Sequence, residues 1–308
     1  MKKEQPPWRE IYEYFEASLE RSDVKLREPL GEKTTYRSGG TCSIFIEVGL
    51  ENDLQVIADR VSRLSIPVAV LGNGSNLLVS DNGFSGLILR LGREFKSLSI
   101  EGEIVVVGAA ASLPVVARKT VAAGLTGFEW AVGVPGSMGG AVRMNAGGHG
   151  SDMSKSVRSV EGIDLRSGSS FSLSIDQLNF SYRNSSISTD MIIAKVVLGL
   201  REGNVEESES EISEIVRWRV ENQPGGQNAG SVFTNPENES AGRLIEAAGC
   251  KGLRIGTAHV SEKHANFIQV EHGGKSEDVA ALIQEVRNQV FEKFGVKLDP
   301  ENHFLGFE

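Results

Sequence analysis

Cysteine is almost absent: Cys42 and Cys250 are the two thiols in 308 residues. Alone and far apart, they supply neither a disulfide framework nor a thiolate zinc site. The five histidines show no ligand spacing, so no metal centre is expected. Lysine and arginine number 32 against 41 aspartates and glutamates, a net charge of −9. With no broad cationic face on offer, nucleic acid is not an expected partner. Long apolar runs are missing too. The richest, from Ile104 to Ala117, is too short and too broken by Gly and Pro to span a bilayer. The opening, Met1 to Trp8, is charged and proline-broken where a signal would be apolar. The expectation is a cytoplasmic protein with no membrane partner. Aromatics are scarce at 6%, whereas glycine is abundant at 35 residues. That balance suits close backbone approaches, as a large cofactor needs.

What is present centres on residues 67–80. Val68 to Leu71 and Leu77 to Val79 read as buried strands, joined by Gly72-Asn73-Gly74-Ser75-Asn76, where every residue tolerates positive φ or is small and polar. Such a turn is either a plain hairpin or a loop whose successive N–H groups converge on an anion, typically a diphosphate, with Ser75 and Asn76 adding side-chain donors. A second glycine-dense stretch, Gly133 to Gly150, tips the balance towards a ligand. It interleaves Val134, Met138, Val142 and Met144, which a solvated linker would not carry. The first loop lacks the Gly-Lys-Ser/Thr ending of a P-loop, and the second lacks Gly-x-Gly-x-x-Gly and its later acid, so neither a Walker nor a Rossmann site is expected. Ser231 follows a glycine but has no Gly-x-Ser-x-Gly context, which argues against a hydrolase nucleophile.

The rest alternates helix and strand. Trp8, Ile11, Tyr12, Phe15 and Leu19 mark an amphipathic first helix, and Leu54, Ile57, Val61 and Leu64 a second. A third helix is capped by Ser112, with Pro114 near its start and Gly124 past its end. Val157 to Leu165, Phe171 to Ser174 and Ile192 to Leu200 suggest a β-meander. After a boundary near Gly203, helices are expected from Glu206, over Ser240 to Ala248, and over Ser276 to Phe294. The last buries Val279, Leu282, Ile283, Val286, Val290 and Phe291. These patterns reach an α/β protein binding a phosphate-bearing cofactor and no further.

Several collinear runs carry a resemblance. They are Thr34 to Gly40, Leu71 to Val79, Gly127 to Gly150, Ser181-Tyr182-Arg183, Ala229 to Pro236, Lys251 to Gly256, Ser261 to Ile268 and Pro300-Glu301. Together they resemble the UDP-N-acetylenolpyruvoylglucosamine reductase family, in its shorter type without an extra insertion after the Tyr-Arg segment. The resemblance implies an α/β (α+β) fold. Residues 1–202 would form an FAD-binding domain of the vanillyl-alcohol-oxidase type, with lobes at about 1–90 and 91–202. Residues 203–308 would form a substrate-binding domain whose last strand returns to the first lobe. It implies a monomer with non-covalent FAD that uses NADPH to reduce UDP-N-acetylglucosamine enolpyruvate to UDP-N-acetylmuramate for peptidoglycan synthesis. FAD would be held by Leu71, Gly72, Asn73, Gly74, Ser75, Asn76, Leu77, Pro135, Gly136, Gly139, Gly140, Ala141, Asn145, Gly147 and Arg183. Arg183, Ser231 and Glu301 would be catalytic, as carboxylate clamp, proton donor and completing group. Tyr182, Asn235 and His264 would contact substrate.

The chain departs from the family pattern in places. Asn222 stands where a basic diphosphate contact is usual, His149 where an aromatic residue is common, and Asn302-His303 where an apolar-basic pair is usual. Lys251, Arg254, Lys263 and His264 are the available substitutes for the missing cation. Two alternatives remain open at this level: an alcohol or sugar oxidase on the same cofactor fold, and a non-catalytic flavin or nucleotide-sugar binder.

Overall fold

A computed structural model describes residues 6–307. Residues 1–5, with most of the charged opening read above, and residue 308 lie outside the described residues. The chain divides into two compact units, and neither is continuous in sequence. One comprises the described residues up to Glu28 with Cys42–Asn73 and Ser85–Val216. The other comprises Pro29–Thr41, Gly74–Phe84 and Arg217–Glu308. The division falls inside the central turn, between Asn73 and Gly74.

Among the described residues the first unit has two larger sheets, beside two short two-stranded ones. In one, Asp23–Leu26 and Cys42–Val48 pair antiparallel, with Leu26 opposite Ile44. Val68–Val70 lies parallel to Phe84–Leu91, with Val68 opposite Leu87. Helix α1 (Trp8–Ser18) buries Ile11 and Phe15, one turn apart, and α2 (Glu51–Val61) buries Leu54, Ile57, Ala58 and Val61. The second sheet runs in the order Ser170–Ser174, Val157–Asp164, Met191–Gly199, Ile104–Gly108, Leu98–Glu101. The expected meander is corrected here, because Met191–Gly199 pairs with Val157–Asp164 and not with the strand before it. Gly162 permits that approach: a Cβ there would meet the Ile192 carbonyl oxygen at 2.0 Å. Helix α3 (Leu113–Ala122) starts after Ser112, but the expected side-chain cap is not made, and Ser112 forms a backbone bridge to Ser137 instead.

The hairpin alternative is not realised: Val68–Val70 and Leu77–Val79 do not pair. The second belongs to the other unit, where it runs parallel to the C-terminal strand His303–Leu305, Leu77 opposite His303. That unit also holds a three-stranded antiparallel sheet (Arg254–Ile255, Ala258–Val260, Ile268–Val270). Against it packs the long α7 (Ser276–Phe294), and the short helix α6 (Ala241–Ala248) packs on α7. Between α3 and α6 lie α4 (Met138–Arg143) and α5 (Val205–Asn222). The α7 stripe buries Val279, Leu282, Ile283, Val286 and Val290 as its spacing requires, whereas Phe291 is exposed. It sits about 100° further round the helix than Val290, which takes it off the stripe. The α7 N-terminus is capped from a distance: Asp81 accepts from Ser276 N and Glu277 N, while the Glu277 carboxylate accepts from Ser80 Oγ and Asp81 N.

One carboxylate locks the start of the first unit. Asp53 is 1% exposed and accepts from Glu20 N at 2.9 Å, Arg21 N at 3.0 Å and Ser22 Oγ at 2.7 Å. Burial alone would raise its pKa, but these three donors outweigh it and hold the carboxyl below its ordinary range. A folded-state pKa below the unfolded value of about 3.9 stabilises the fold above that value, and the contribution fades as pH falls through the folded one. Asp53→Asn is therefore expected to cost about 1–3 kcal/mol near neutrality. In urea titrations the gap from the parent should close in acid; a gap that widens there would contradict this account.

Candidate functional site

The central turn is built for close backbone contact. Leu71 is buried and donates its N–H to the Leu89 carbonyl at 2.8 Å, extending the strand to the edge of the turn. Gly72 and Asn73 then emerge exposed. A Cβ on Gly72 would stand 2.4 Å from Ser137 Oγ, and Asn73 Nδ2 lies 3.5 Å from the Pro135 carbonyl oxygen. The two glycine-rich stretches thus adjoin within the first unit. Gly74 takes φ +64°, and a Cβ there would meet the Lys33 carbonyl oxygen at 2.3 Å. Its own carbonyl accepts from Thr35 N at 3.1 Å, so residues 33–35 form the wall behind the turn.

Among the described residues, no backbone N–H from Asn73 to Asn76 is bonded to a protein acceptor. Consecutive unspent amides in a glycine-bent turn are the donor set of an anion nest. The Asn76 carboxamide is different. Its Nδ2 donates to the Glu301 carbonyl at 3.0 Å, and its Oδ1 accepts from Asn302 Nδ2 at 2.7 Å. One Nδ2 hydrogen is thereby committed to the protein, which leaves the other and the backbone N–H of Asn76 unspent.

In the second stretch, Gly136 O accepts from Leu113 N, and Ser137 Oγ caps α4 by accepting from Gly140 N. Gly139 serves packing: its N–H donates to Ala109 O at 2.9 Å, and a Cβ there would stand 3.1 Å from the Ala109 Cβ. Pro135 and Gly140 are exposed, while Ala141 is buried. Asn145, buried and at φ +40°, donates to Ser181 O at 2.9 Å and accepts from Ser154 N at 3.1 Å. It thereby fastens the turn Ser181–Asn184, closed by reciprocal backbone bonds of 3.0 and 3.1 Å. At its apex Tyr182 is 59% exposed and Arg183 takes φ +55°. A left-handed non-glycine residue stores about 1–3 kcal/mol of strain and commonly marks a functional turn. Arg183 Nη2 donates to Gly147 O at 3.1 Å, and its Cζ lies 5.1 Å from the Tyr182 ring centroid. Gly147 has no room for a side chain, since a Cβ would meet Ser151 O at 2.5 Å. The first unit therefore brings Asn145, Gly147, Tyr182 and Arg183 together.

The second unit brings together Ser231, Glu301 and the later half of the central turn. Ser231 follows Gly230, which takes φ +74° and has open space where a Cβ would lie. Beyond it Val232 and Phe233 are buried and gripped by Asn266. Val232 N donates to Asn266 O at 2.8 Å, Phe233 N to Asn266 Oδ1 at 3.0 Å, and Asn266 Nδ2 to Phe233 O at 2.8 Å. Glu301 N donates to Val232 O at 2.7 Å, which sets Glu301 beside the Ser231 segment. Asn302, 4% exposed, donates from Nδ2 to Asn76 Oδ1, Ala229 O and Ser231 O and accepts from Tyr36 Oη. Asn266 and Asn302 are functional supports to which sequence reasoning gave no role. The signal for Asn266 was its place in the Lys263 to Ile268 run, and for Asn302 its being polar where an apolar residue is usual.

Asn235 and His264 both border the first turn of α6. Asn235 Oδ1 accepts from Ala241 N at 3.1 Å, and a Cβ on Gly242 would stand 3.4 Å from His264 Cε1. Burial pushes the His264 pKa down, so the ring is neutral at neutral pH, and its Nδ1 accepts from Asn266 N at 3.2 Å. The other substitute cations are engaged. Lys251 pairs with Glu246, Arg254 with Glu271, and Lys263 donates to Val220 O at the end of α5. Among the described residues no cluster of His, Cys, Asp and Glu could hold a metal ion, and no helix is long and apolar enough to cross a membrane.

Known proteins resemble this chain over most of its length. Residues 42–174 match a family described as FAD binding domain, and residues 221–305 match the C-terminal domain of UDP-N-acetylenolpyruvoylglucosamine reductase. A UDP-N-acetylenolpyruvoylglucosamine reductase of Desulforamulus reducens is 39% identical over 94% of this chain and 96% of its own length. One of Heliobacterium modesticaldum is 41% identical over 91% and 90%. The crystal structure of the reductase from Thermus caldophilus superposes with a TM-score of 0.80 at 35% identity, covering 92% of this chain and 99% of that one.

The turn's backbone gives a direct test. Gly74→Ala places a side chain against the Lys33 carbonyl and penalises φ +64°. The variant is expected to purify with markedly less flavin, read as the visible-to-280 nm absorbance ratio. Full flavin content would show that the turn does not need this backbone.

Proposed function

The chain belongs to the UDP-N-acetylenolpyruvoylglucosamine reductase family, and from that premise we propose how its own residues carry out the family reaction. The protein is an FAD-dependent oxidoreductase that reduces UDP-N-acetylglucosamine enolpyruvate to UDP-N-acetylmuramate with NADPH. The observation that carries the reading is the junction in the second unit, where Ser231, Glu301 and the unspent amides of the cofactor turn are tied by hydrogen bonds. The residues present fit FAD: a glycine cradle without room for Cβ atoms, and neutral N–H donors suited to a diphosphate. In this reading Gly72 to Leu77 and Pro135 to Gly147 hold the cofactor. Residues 1–202 serve FAD and residues 203–308 the nucleotide sugar. The chemistry that FAD supplies when bound is hydride transfer, from NADPH to the enolpyruvyl double bond.

This chain's side chains then handle charge and proton. Hydride arriving at the methylene carbon leaves negative charge on the neighbouring carbon, spread into the carboxylate. Arg183, presented on its strained turn, holds that carboxylate by charge-assisted hydrogen bonds and stabilises the developing enolate. Ser231 delivers a proton from Oγ to the carbon next to the carboxylate; a weakly acidic hydroxyl suffices because the acceptor is strongly basic. Glu301 completes the site by orienting a donor towards the carboxylate. Tyr182 shapes the entrance, while Asn235 and His264 meet the nucleotide sugar at the start of α6. The enzyme works as a monomer in the cytoplasm.

Ser231→Ala separates these roles. The variant is expected to keep its flavin and to be bleached by NADPH at the parent rate. Recovery of colour on adding the enolpyruvyl substrate without oxygen should slow by about 10²–10⁴-fold. Equal slowing of both steps would remove Ser231 from the role of proton donor.

A further inference from the structure

We propose that Asn302 is a positioning residue for Ser231: its carboxamide sets the register of the proton donor and ties it to the cofactor turn. The inference rests on the reading of Ser231 given above.

The joint that needs control is Gly230. It sits at φ +74° with nothing near its would-be Cβ, so no side chain restrains the joint itself between buried Ala229 and Ser231. The carbonyls on either side of that joint belong to Ala229 and Ser231, and Asn302 Nδ2 reaches both, at 3.2 and 3.4 Å. The same nitrogen donates to Asn76 Oδ1 at 2.7 Å, on the turn whose amides have no protein acceptor. A rotation at Gly230 that moved Ser231 would break bonds to one amide that also fixes the turn. The carboxamide cannot swivel freely to follow, because its Oδ1 accepts from Tyr36 Oη at 3.4 Å and Asn302 is 4% exposed. Tyr36 is itself fully buried, and burial pushes its hydroxyl pKa well up, so it stays a neutral donor. Asn76 completes the frame by donating to Glu301 O. Two asparagines and a tyrosine thus hold turn, serine and glutamate in one hydrogen-bonded frame. An apolar residue at 302 would fill the space without fixing any of them.

The test uses the holoenzyme of the parent, Asn302→Leu, Asn302→Asp and Ser231→Ala. Flavin bleaching by NADPH and recovery of colour with the enolpyruvyl substrate are followed separately without oxygen, and flavin release in urea is read by its fluorescence. For Asn302→Leu the recovery step should slow by about 10- to 100-fold, the cost of a misplaced reacting group, with the bleaching step within about twofold of the parent. Flavin should also leave at lower urea than in the parent. In Asn302→Asp the introduced carboxyl loses the donor at pH about 8 and regains it on protonation, which its carbonyl neighbours favour. Its recovery step, relative to the parent, should therefore improve as pH falls towards about 5.5. Three outcomes overturn the inference: an unchanged recovery step in Asn302→Leu, equal slowing of both steps in it, or no pH rescue in Asn302→Asp. If Ser231→Ala alone leaves recovery intact, the proton-donor reading fails first and this inference with it. A crippled Ser231→Ala beside an unaffected Asn302→Leu sinks the positioning role only. Should Asn302→Leu not fold, the pH profile of Asn302→Asp decides by itself.

Discussion

Four consecutive backbone amides with no protein acceptor among the described residues, from Asn73 to Asn76, are the constraint around which the rest is arranged. Such a turn requires left-handed backbone at Gly74 and bare Cα atoms where it is pressed against Lys33–Thr35 and Ser137. It also suits the charge of the chain. With acidic residues in excess, unspent backbone dipoles and not a cationic surface are what the chain offers a diphosphate.

Two ways of fixing a functional side chain coexist. Arg183 is held by backbone: a tight turn, a left-handed residue at its apex, the Ser181 carbonyl that accepts from Asn145, and the Gly147 carbonyl that accepts from its own guanidinium. Ser231 is held by carboxamides. Asn266 grips the residues after it, Asn302 the carbonyls around Gly230, and Asn76 the carbonyl of neighbouring Glu301. A carboxamide carries donor and acceptor without charge, so it satisfies buried backbone on both sides without the desolvation cost of an ion. That the basic residues near this unit are spent on ion pairs or helix ends fits the same logic.

Much of this could be read from one dimension, because its causes are local. The α7 stripe, the glycine turn and the Gly-rich wall depend on spacing and on φ preferences, which a sequence displays directly. The resemblance supplied the roles of Arg183, Ser231 and Glu301, which no local pattern carries. What could not be read was pairing across long separations. Leu77–Val79 looked like the partner of Val68–Val70 but pairs with residues at the other end of the chain. Val157–Asp164 takes its second neighbour through the gap left by Gly162. Asn302 lies 226 positions from Asn76, so no window of residues contains both. Phe291 failed for a smaller reason: the apolar pattern continued one residue past the face that packs.

The parallel pairing of Leu77–Val79 with His303–Leu305 has a consequence for biosynthesis. The strand leaving the cofactor turn is made early, yet its partner follows it only after a long stretch of chain. Until residues 301–305 have left the ribosome, Asn76 has neither Glu301 nor Asn302 to bond, and the second half of the turn lacks its frame. The frame of the turn therefore forms late, while the other unit, whose segments end at Val216, is free to condense during elongation.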